Sequence, residues 1–447
     1  MNAHPDLAIA DIANTFDAMH WKVLDKRHLV FDDITPIVET LSASSEITTT
    51  LLGHSYEGRP IVRYALGKGP LTLLAWTQMH GDEPTATAAV LDYLHILLNS
   101  EPEGLPRNWQ NMVTLHVIPM LNPDGAERGT RVNAQGIDIN RDAKALQSPE
   151  GRILNDQVKQ LAPDVAFNLH DQNPYYTAGT SSNPATIAFL APAYHKDKHV
   201  DAARLRAKQL IAGMASTLNH FIPNCIGRYD DTYSFRSFGD NIAATGASTI
   251  LIESGAALDD PHRQSARKMN VVALHYALLS LLSNTYQRYS LADYYRIPDN
   301  REDGLCDTKL SHITLGDSQP YQADISINLC RKTGKSSITA IGDLRTIHGF
   351  SDVDGRGLRV ANIKPYVVTS PMHLDDGFYR KLLAEGYSYF VDTKGQLSHT
   401  CTLPVRIETA PISQVCMLPG ERAFFLLKNN NGIQAAILEG QWTTLNP

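Results

Sequence analysis

The chain has 447 residues, of which 43% are hydrophobic and 19% are charged, and its formal net charge is −7. These values are typical of a globular protein with room for two domains. The acidic balance and the absence of any basic run longer than DKRH (25–28) argue against nucleic acid or an anionic membrane as the main partner, and no apolar stretch approaches the length of a membrane span.

The N-terminal segment and the cysteines predict a cytoplasmic protein. The first residues lack a basic region followed by an apolar core, so we expect no signal peptide. The cysteines are scattered and form no C-x-x-C pair, which favours reduced thiols over a disulfide framework or a sulfur zinc site. These cysteines are Cys225, Cys306, Cys330, Cys401 and Cys416. The sequence leaves the oligomeric state open.

In chain order, helical patterns fill the first 45 residues, and two strand-like runs follow around a turn at Glu57-Gly58. Apolar strand-like runs then alternate with helical patterns. The predicted strands are 72–78, 112–119, 164–170, 187–192 and 248–254, and the predicted helices are 84–98, 149–161, 201–218 and 262–282. The alternation predicts an α/β fold with a mixed, largely parallel sheet and helices on both faces. Ligands in such folds bind beyond the carboxyl ends of strands.

The composition and the pattern of predicted elements change after residue 297. The stretch RIPDNREDGLCDTK (296–309) is polar and resembles a linker, and short β-rich runs follow it, interrupted by one helical pattern at 375–386. We therefore predict a catalytic domain over residues 1–297 and a smaller, mostly β domain of unknown role over residues 298–447.

Two histidines and a glutamate lie at or just after the ends of predicted strands. MHGDEP (79–84) supplies His80 and Glu83, and NLHDQ (168–172) supplies His170. A His-x-x-Glu pair alone is common by chance, and a lone histidine at a strand end is more often simply hydrogen-bonded. Together, two imidazoles and one carboxylate with a fourth position for water are typical of a catalytic zinc site. The sequence thus predicts one Zn(II) per chain.

A third strand end carries a candidate general base. Glu253 closes the almost wholly apolar run ILIESG (250–255), an unusual place for a carboxylate. It is either a solvent-facing or helix-capping acid, or the group that takes a proton from water and passes it to the leaving amine.

The segment NPDGAERGTRVNAQGIDINRD (122–142) carries Arg128, Arg131 and Arg141 in an otherwise acidic chain. Arginine holds a carboxylate with two parallel hydrogen bonds and stabilises an oxyanion. Any one arginine is more often a solvated surface residue, but three beside the predicted zinc strands indicate recognition of an anionic group.

These motifs together resemble the zinc carboxypeptidase family (M14), typified by pancreatic carboxypeptidase A. GHSYEGRPI (53–61), H-x-x-E, NPDG, R-x-N-x-x-G-x-D-x-N-R, a strand ending in His and a strand ending in Glu-Ser occur in the family's order, over about residues 45–285. The resemblance implies zinc on His80, Glu83 and His170, with Glu253 as the catalytic glutamate.

The resemblance also implies roles for the polar segment and for a tyrosine. Arg131 matches the arginine that polarises the scissile carbonyl, and Asn140 and Arg141 match the pair that grips the substrate's terminal carboxylate. The family's mobile tyrosine matches Tyr233 within RYDDTYSFRSFGD (228–240), with Tyr229 as the rival.

Several positions depart from the pancreatic enzymes. Asp82 stands where they carry a basic residue, and would repel a second carboxylate or attract an amine. Asp171 replaces a serine, and either supports the ligands or holds a loop. Asp240, before the catalytic glutamate, either recognises a basic side chain or caps a turn. The pancreatic enzymes are also secreted and made with a pro-segment, and they lack a C-terminal β domain.

The predicted function is that of a zinc metallocarboxypeptidase, a hydrolase that cleaves the amide bond next to a free C-terminal carboxylate in a peptide or amino-acid-derived substrate. One alternative is an N-acyl amino acid hydrolase of the aspartoacylase and succinylglutamate desuccinylase type, which MHGDE, DINR and the C-terminal β domain also fit. A second is a non-catalytic zinc-binding or carboxylate-binding protein on the same scaffold.

Overall fold

A computed structural model describes residues 5–316, 318–330, 333–412 and 417–445. The chain divides into two compact units, Met1–Glu302 and Asp303–Pro447. None of the helices in the described ranges has the length and apolar character that a membrane span requires. Cys225, Cys306 and Cys401 are not in disulfides, and Cys416 lies outside the described residues.

The first unit alternates strands and helices. Its strands are β1 (Ile47–His54), β2 (Pro60–Gly67), β3 (Leu71–Thr77), β4 (Val113–Ile118), β5 (Val165–Asp171), β6 (Thr177–Ala178), β7 (Ile187–Leu190), β8 (Ile226–Arg228), β9 (Ser248–Ser254) and β10 (Asn300–Arg301). Its α-helices are α1 (Pro5–Met19), α2 (Phe31–Ser42), α3 (Thr85–Asn99), α4 (Pro123–Arg128), α5 (Pro149–Leu161), α6 (Ala202–Leu218), α7 (Phe238–Ala243), α8 (Gln264–Ser283) and α9 (Leu291–Tyr295).

Eight strands form one mixed sheet in the order β1-β2-β4-β3-β5-β9-β7-β8. The four central strands, β4, β3, β5 and β9, are parallel, while β1, β2 and β7 pair with their inner neighbours in the antiparallel sense. This architecture confirms the predicted α/β fold. The carboxyl ends of β3, β5 and β9 meet at one edge of the sheet, where ligands bind in folds of this type.

Both faces of the sheet are covered, as the continuous apolar strands predict. Along β3, Leu73 and Ala75 pack into a large core with residues of α1, α3, α6 and α8. Leu74 and Trp76 point to the opposite face and pack with residues of α5 and α7. The alternation follows from the two-residue period of a strand, and it fixes the sheet rigidly between two hydrophobic layers.

The second unit is mostly β, also as predicted. Its strands are β11 (Leu305–Leu315), β12 (Tyr321–Cys330), β13 (Lys335–Gly342), β14 (His348–Asp354), β15 (Arg359–Val360), β16 (Lys364–Val367), β17 (Met372–Leu374), β18 (Tyr387–Val391), β19 (Leu397–His399), β20 (Ile407–Glu408), β21 (Phe424–Asn429), β22 (Gly432–Leu438) and β23 (Gln441–Thr444), with one helix, α10 (Asp376–Ala384). They form one large sheet and two small ones over their own hydrophobic clusters.

The stretch 296–309, which the sequence presents as a linker, contains regular structure. Asn300 and Arg301 form β10, which pairs with Ala178 and Thr177 of β6 in the first unit. Leu305 then begins β11. The polar composition of this stretch does not reveal β10, because a strand of two residues is too short to show an alternating pattern. The predicted domain boundary after residue 297 therefore lies slightly before the division between the two units.

Candidate metal centre and active site

The central parallel strands bring the three strand-end motifs together. His80 and Glu83 follow β3, His170 lies in β5, and Glu253 lies in β9. His170 and Glu253 are direct partners in the register between β5 and β9, so their side chains leave neighbouring strands at the same level. Residues separated by more than 80 positions in the chain thus meet at one edge of the sheet.

The loop after β3 packs against the NPDG turn through two glycines. A Cβ placed on Gly81 would lie 1.9 Å from the carbonyl carbon of Gly125, so only glycine permits this approach. Asn122 Oδ1 accepts from the Gly125 N–H at 2.9 Å, and Asn122 Nδ2 donates to the Met79 carbonyl at 3.2 Å. The two motifs therefore form one continuous structure.

His80, Glu83 and His170 are buried, and their ligand atoms all lie within 4.8 Å of one another. The Nδ1 atoms of His80 and His170 face Glu83 Oε1 and Oε2 at 2.8 and 2.7 Å. Two imidazole nitrogens and a carboxylate that converge on one point fit the donor set of a zinc ion with an open position. This cluster can hold a metal ion.

Two groups support the cluster from outside. Asp138 Oδ1 lies 3.1 Å from His80 Nε2, and Asp138 Oδ2 accepts from Arg131 Nε at 2.9 Å. A carboxylate on the second ring nitrogen orients the imidazole and leaves Nδ1 free for a metal. The Asp171 N–H also donates to Glu83 Oε2 at 3.2 Å.

The pKa values of the cluster follow from burial and from these neighbours. Burial disfavours a charged His80, but Glu83 and Asp138 outweigh burial and raise the pKa of His80 to about 9. Burial lowers the pKa of His170. Burial acts to raise the pKa of Glu83, but His80 and His170 hold it below its usual range. The site thus holds a glutamate in its charged form between two imidazoles.

Glu253 has a different environment. Its Oε2 atom is buried and has no hydrogen-bond partner among the described residues. Burial, and then the negative charge of Glu83, raise the pKa of Glu253 well above its usual range. A carboxylate that lies beside the metal-binding cluster and has a raised pKa is suited to accept a proton.

Arg131, Asn140 and Arg141 lie on the same segment. The Arg131 side chain is 45% exposed, and its Nη1 atom lies 3.4 Å from Glu83 Oε1. Asp138 caps a 3₁₀ helix over Ile139–Arg141, which carries the other two residues. Asn140 is buried and its Oδ1 accepts from the Phe238 N–H at 2.9 Å, while Arg141 is exposed. The segment thus presents one arginine to the cluster and another to solvent.

The two candidate tyrosines differ in their surroundings. Tyr229 lies with its hydroxyl 3.3 Å from that of Tyr176. Burial raises the pKa of Tyr229, and the Glu253 and Glu302 carboxylates add to the rise, while the hydrogen bond with Tyr176 and the charge of Arg131 oppose it. Tyr233 is half-buried further along the same loop. Tyr229 thus has Glu253 and Arg131 among the charged groups near it.

Three aspartates mark departures from the pancreatic enzymes. Asp82 is exposed between the two members of the first motif. Asp171 Oδ2 accepts from Thr85 Oγ1 at 2.7 Å and lies 3.4 Å from Arg27 Nη1. Asp240 Oδ1 accepts from the Ser234 N–H at 3.0 Å, and its Oδ2 contacts the Ser237 hydroxyl at the start of α7. The Asp240 carboxylate is thus held by its own turn, as the capping interpretation predicts.

Sequence reasoning missed Asp138 and assigned no structural role to Arg128. Asp138 is the first residue of the D-x-N-R string, two positions before Asn140, and its place in that string is the signal that could have identified it. Arg128 donates to the Asp124 carbonyl at 3.2 Å and pairs with Glu57, so its guanidinium joins α4 to the turn between β1 and β2.

Comparison with known proteins finds similarity to zinc carboxypeptidases over part of the chain. The family model described as zinc carboxypeptidase matches residues 36–192. The chain is 28% identical to carboxypeptidase SOL1 of Arabidopsis thaliana over 143 residues, which cover 26% of this chain and 29% of that protein. It is 32% identical to murein peptide amidase A of Escherichia coli K12 over 105 residues, which cover 23% of this chain and 38% of that protein.

Among solved structures, the chain is similar to a metallo-carboxypeptidase from Burkholderia cenocepacia, with a TM-score of 0.47, 17% identity, and coverage of 58% of this chain and 71% of that one. The matches to the two curated relatives span less than two fifths of those proteins' own lengths. The family match includes His80, Glu83, His170 and the whole segment 122–142. The chain is therefore similar to the zinc carboxypeptidase family over the part that carries the three candidate metal ligands.

Proposed function

We propose that the protein is a zinc-dependent metallocarboxypeptidase that hydrolyses the amide bond next to a free carboxylate. One observation carries the proposal: His80, Glu83 and His170 converge within 4.8 Å, and Glu253 stands in register beside His170. A metal-binding set next to a buried carboxylate is the arrangement that activated-water hydrolysis requires.

His80 Nδ1, His170 Nδ1 and the Glu83 carboxylate would hold one zinc ion per chain. Zinc bound there would lower the pKa of a coordinated water and polarise the scissile carbonyl. Asp138 keeps Nδ1 of His80 turned inward by holding Nε2. Glu253 takes a proton from the attacking water and delivers it to the leaving nitrogen.

Arg131 supplies positive charge where the carbonyl oxygen becomes negative. Its guanidinium already lies against Glu83 and Asp138, so little reorganisation is needed during the reaction. Asn140 and Arg141 fix the substrate's carboxylate. The amide oxygen of Asn140 is committed to the Phe238 N–H, which leaves its NH₂ group to donate beside the exposed guanidinium of Arg141.

For the assisting tyrosine we propose Tyr229, the rival of Tyr233 in the same loop. The hydroxyl of Tyr229 is held by Tyr176 at 3.3 Å, and its environment includes Glu253 and Arg131. We propose that Tyr229 donates a hydrogen bond to the substrate near the reacting amide, and that Tyr233 does not.

The substrate class includes cell-wall peptides. The chain is 32% identical over 105 residues to a murein peptide amidase, and an exposed Asp82 in place of a basic residue suits a substrate that carries an amine beyond the scissile bond. Amide hydrolysis in such a peptide uses the same residues as in a simple peptide.

The test compares four kinds of substrate on the zinc-loaded protein. Two are peptides with a free C-terminal carboxylate, a simple peptide and a murein-type peptide that also carries a free amine. The other two are the simple peptide with an amidated C-terminus and N-acyl amino acids. We expect hydrolysis of one or both free-carboxylate peptides, loss of activity on the amidated peptide, and a drop of about 10²–10⁴-fold in kcat for Glu253→Gln. Cleavage of N-acyl amino acids alone, or full activity of Glu253→Gln, would contradict the proposal.

A further inference from the structure

The turn between β1 and β2 is closed by its own backbone hydrogen bonds. The Ser55 N–H donates to the Arg59 carbonyl at 2.8 Å and the Gly58 N–H donates to the Ser55 carbonyl at 3.0 Å. Gly58 has a φ of +85°, a conformation that favours glycine. This closed turn, residues 55–59, is part of the GHSYEGRPI motif, to which the proposed chemistry assigns no role.

One side of the turn holds Asp124, a fully buried residue of the NPDG turn. Its carboxylate accepts from Ser55 Oγ at 2.7 Å, from the Glu57 N–H at 2.9 Å and from Arg59 Nη1 at 2.6 Å. Such charge-assisted bonds are short and directional. They fix the start of α4, which also packs against the loop of His80 through Gly125 and Gly81.

The other side of the turn holds Glu150, in the first turn of α5. The Tyr56 N–H donates to Glu150 Oε1 at 3.3 Å, and Asn133 Nδ2 donates to Glu150 Oε2 at 2.9 Å. Asn133 Oδ1 in turn accepts from the N–H groups of Gln135 and Ile137 at 2.9 and 3.0 Å. The turn thereby shapes the loop that follows Arg131.

Arg131 lies between these two anchored points in the chain, after α4 and before Asn133. We propose that turn 55–59, with Asp124, Glu150 and Asn133, forms a brace that positions Arg131 for the reaction, an inference that rests on the proposed function. Asp138 and Glu83 contact the Arg131 guanidinium itself, and the brace restricts the backbone from which this side chain extends. The hydrogen bonds described for the brace residues join them to one another and to the segment around Arg131, and none of these bonds is to His80, Glu83 or His170.

A double-mutant cycle tests this. Arg59→Gln, Arg131→Gln and the double variant are compared with the wild-type full-length, zinc-loaded protein on a free-carboxylate peptide that the wild type cleaves. We expect Arg59→Gln to lower kcat about tenfold, as small misplacements of reacting groups do, with KM and zinc content unchanged. In the Arg131→Gln background, Arg59→Gln should lower kcat no further, and Arg59→Lys should recover most of the wild-type kcat.

Arg107→Gln, at an exposed arginine of the same unit, is the control and should retain wild-type kcat. Equal fold-losses from Arg59→Gln in both backgrounds, or no loss in the wild-type background, would overturn the inference. Should Arg59→Gln fail to fold, Glu150→Gln tests the other side of the brace with the same criteria. Absence of any hydrolysis by the wild type would instead overturn the proposed function, and this inference with it.

Discussion

His80 is held between two carboxylates that determine its charge. Glu83 faces its Nδ1 and Asp138 faces its Nε2, and together they outweigh burial and raise its pKa to about 9. A histidine that binds zinc must be neutral, so at the proposed metal site zinc binding and loss of a proton from His80 would be linked. Proton release on addition of zinc would therefore report whether His80 binds the metal.

We therefore predict that zinc binding at pH 7.5 releases about one proton from His80. Because this pKa is raised, zinc affinity should increase with pH up to about 9 and then level off. Calorimetric titrations in buffers of different ionisation enthalpy measure the release. Asp138→Asn removes a neighbour that raises the pKa, so it should reduce the release at pH 7.5. Zinc binding without proton release in the wild type would contradict this account of His80.

The two tyrosines of the loop before α7 give a second prediction. Tyr229→Phe should lower kcat about tenfold through loss of one hydrogen bond in the transition state, whereas Tyr233→Phe should leave it near the wild-type value. Steady-state kinetics on a free-carboxylate peptide distinguish the two. The reverse pattern would assign the role to Tyr233, as sequence spacing alone suggests. Spacing could not decide because the loop has no period that fixes which side chain faces inward.

At the scale of elements, the strands that carry the site are readily predicted. The run DVAFNLH (164–170) becomes β5 at Val165–Asp171, and STILIES becomes β9 at its predicted bounds. Continuous apolar runs give a strong signal because both faces of a central parallel strand are buried. The contacts between motifs, such as Arg59 with Asp124, could not be predicted, since they join residues 65 positions apart whose side chains have many possible partners.

The contact between the His80 loop and the NPDG turn depends on Gly81. A methyl group there would overlap the Gly125 backbone, so Gly81→Ala should lower the free energy of unfolding by about 1–3 kcal/mol and weaken zinc binding. Thermal unfolding and zinc titration measure both effects. Gly377→Ala, where the nearest atom to the new Cβ is Asp375 Oδ1 at 3.4 Å, is the matched control. Unchanged stability and zinc affinity in Gly81→Ala would show that the two loops readily separate.

At the scale of the whole molecule, all of the site residues lie in the first unit. That unit has its own two hydrophobic cores, one on each face of its sheet. The sequence predicted a second, mostly β unit but misjudged the stretch before it, because β10 pairs with a strand more than 100 residues away. Such a non-local pairing leaves no trace in local composition.

A fragment of residues 1–302 should therefore fold cooperatively and bind zinc as the full chain does. It should also hydrolyse a free-carboxylate peptide, since the site residues and the brace all lie within it. Circular dichroism, zinc titration and kinetics on the fragment and the full chain provide the comparison. A folded fragment that binds zinc but has lost activity would show that the second unit contributes to substrate binding.

The central claim is that His80, Glu83 and His170 form a catalytic zinc site, and zinc content measured together with activity tests it most directly. We predict about one zinc per purified wild-type chain, peptide hydrolysis that is lost on chelation and restored by added zinc, and neither zinc nor activity in a His80→Ala, His170→Ala double variant. Wild-type protein that, after incubation with zinc, holds no more metal than the double variant would contradict the claim.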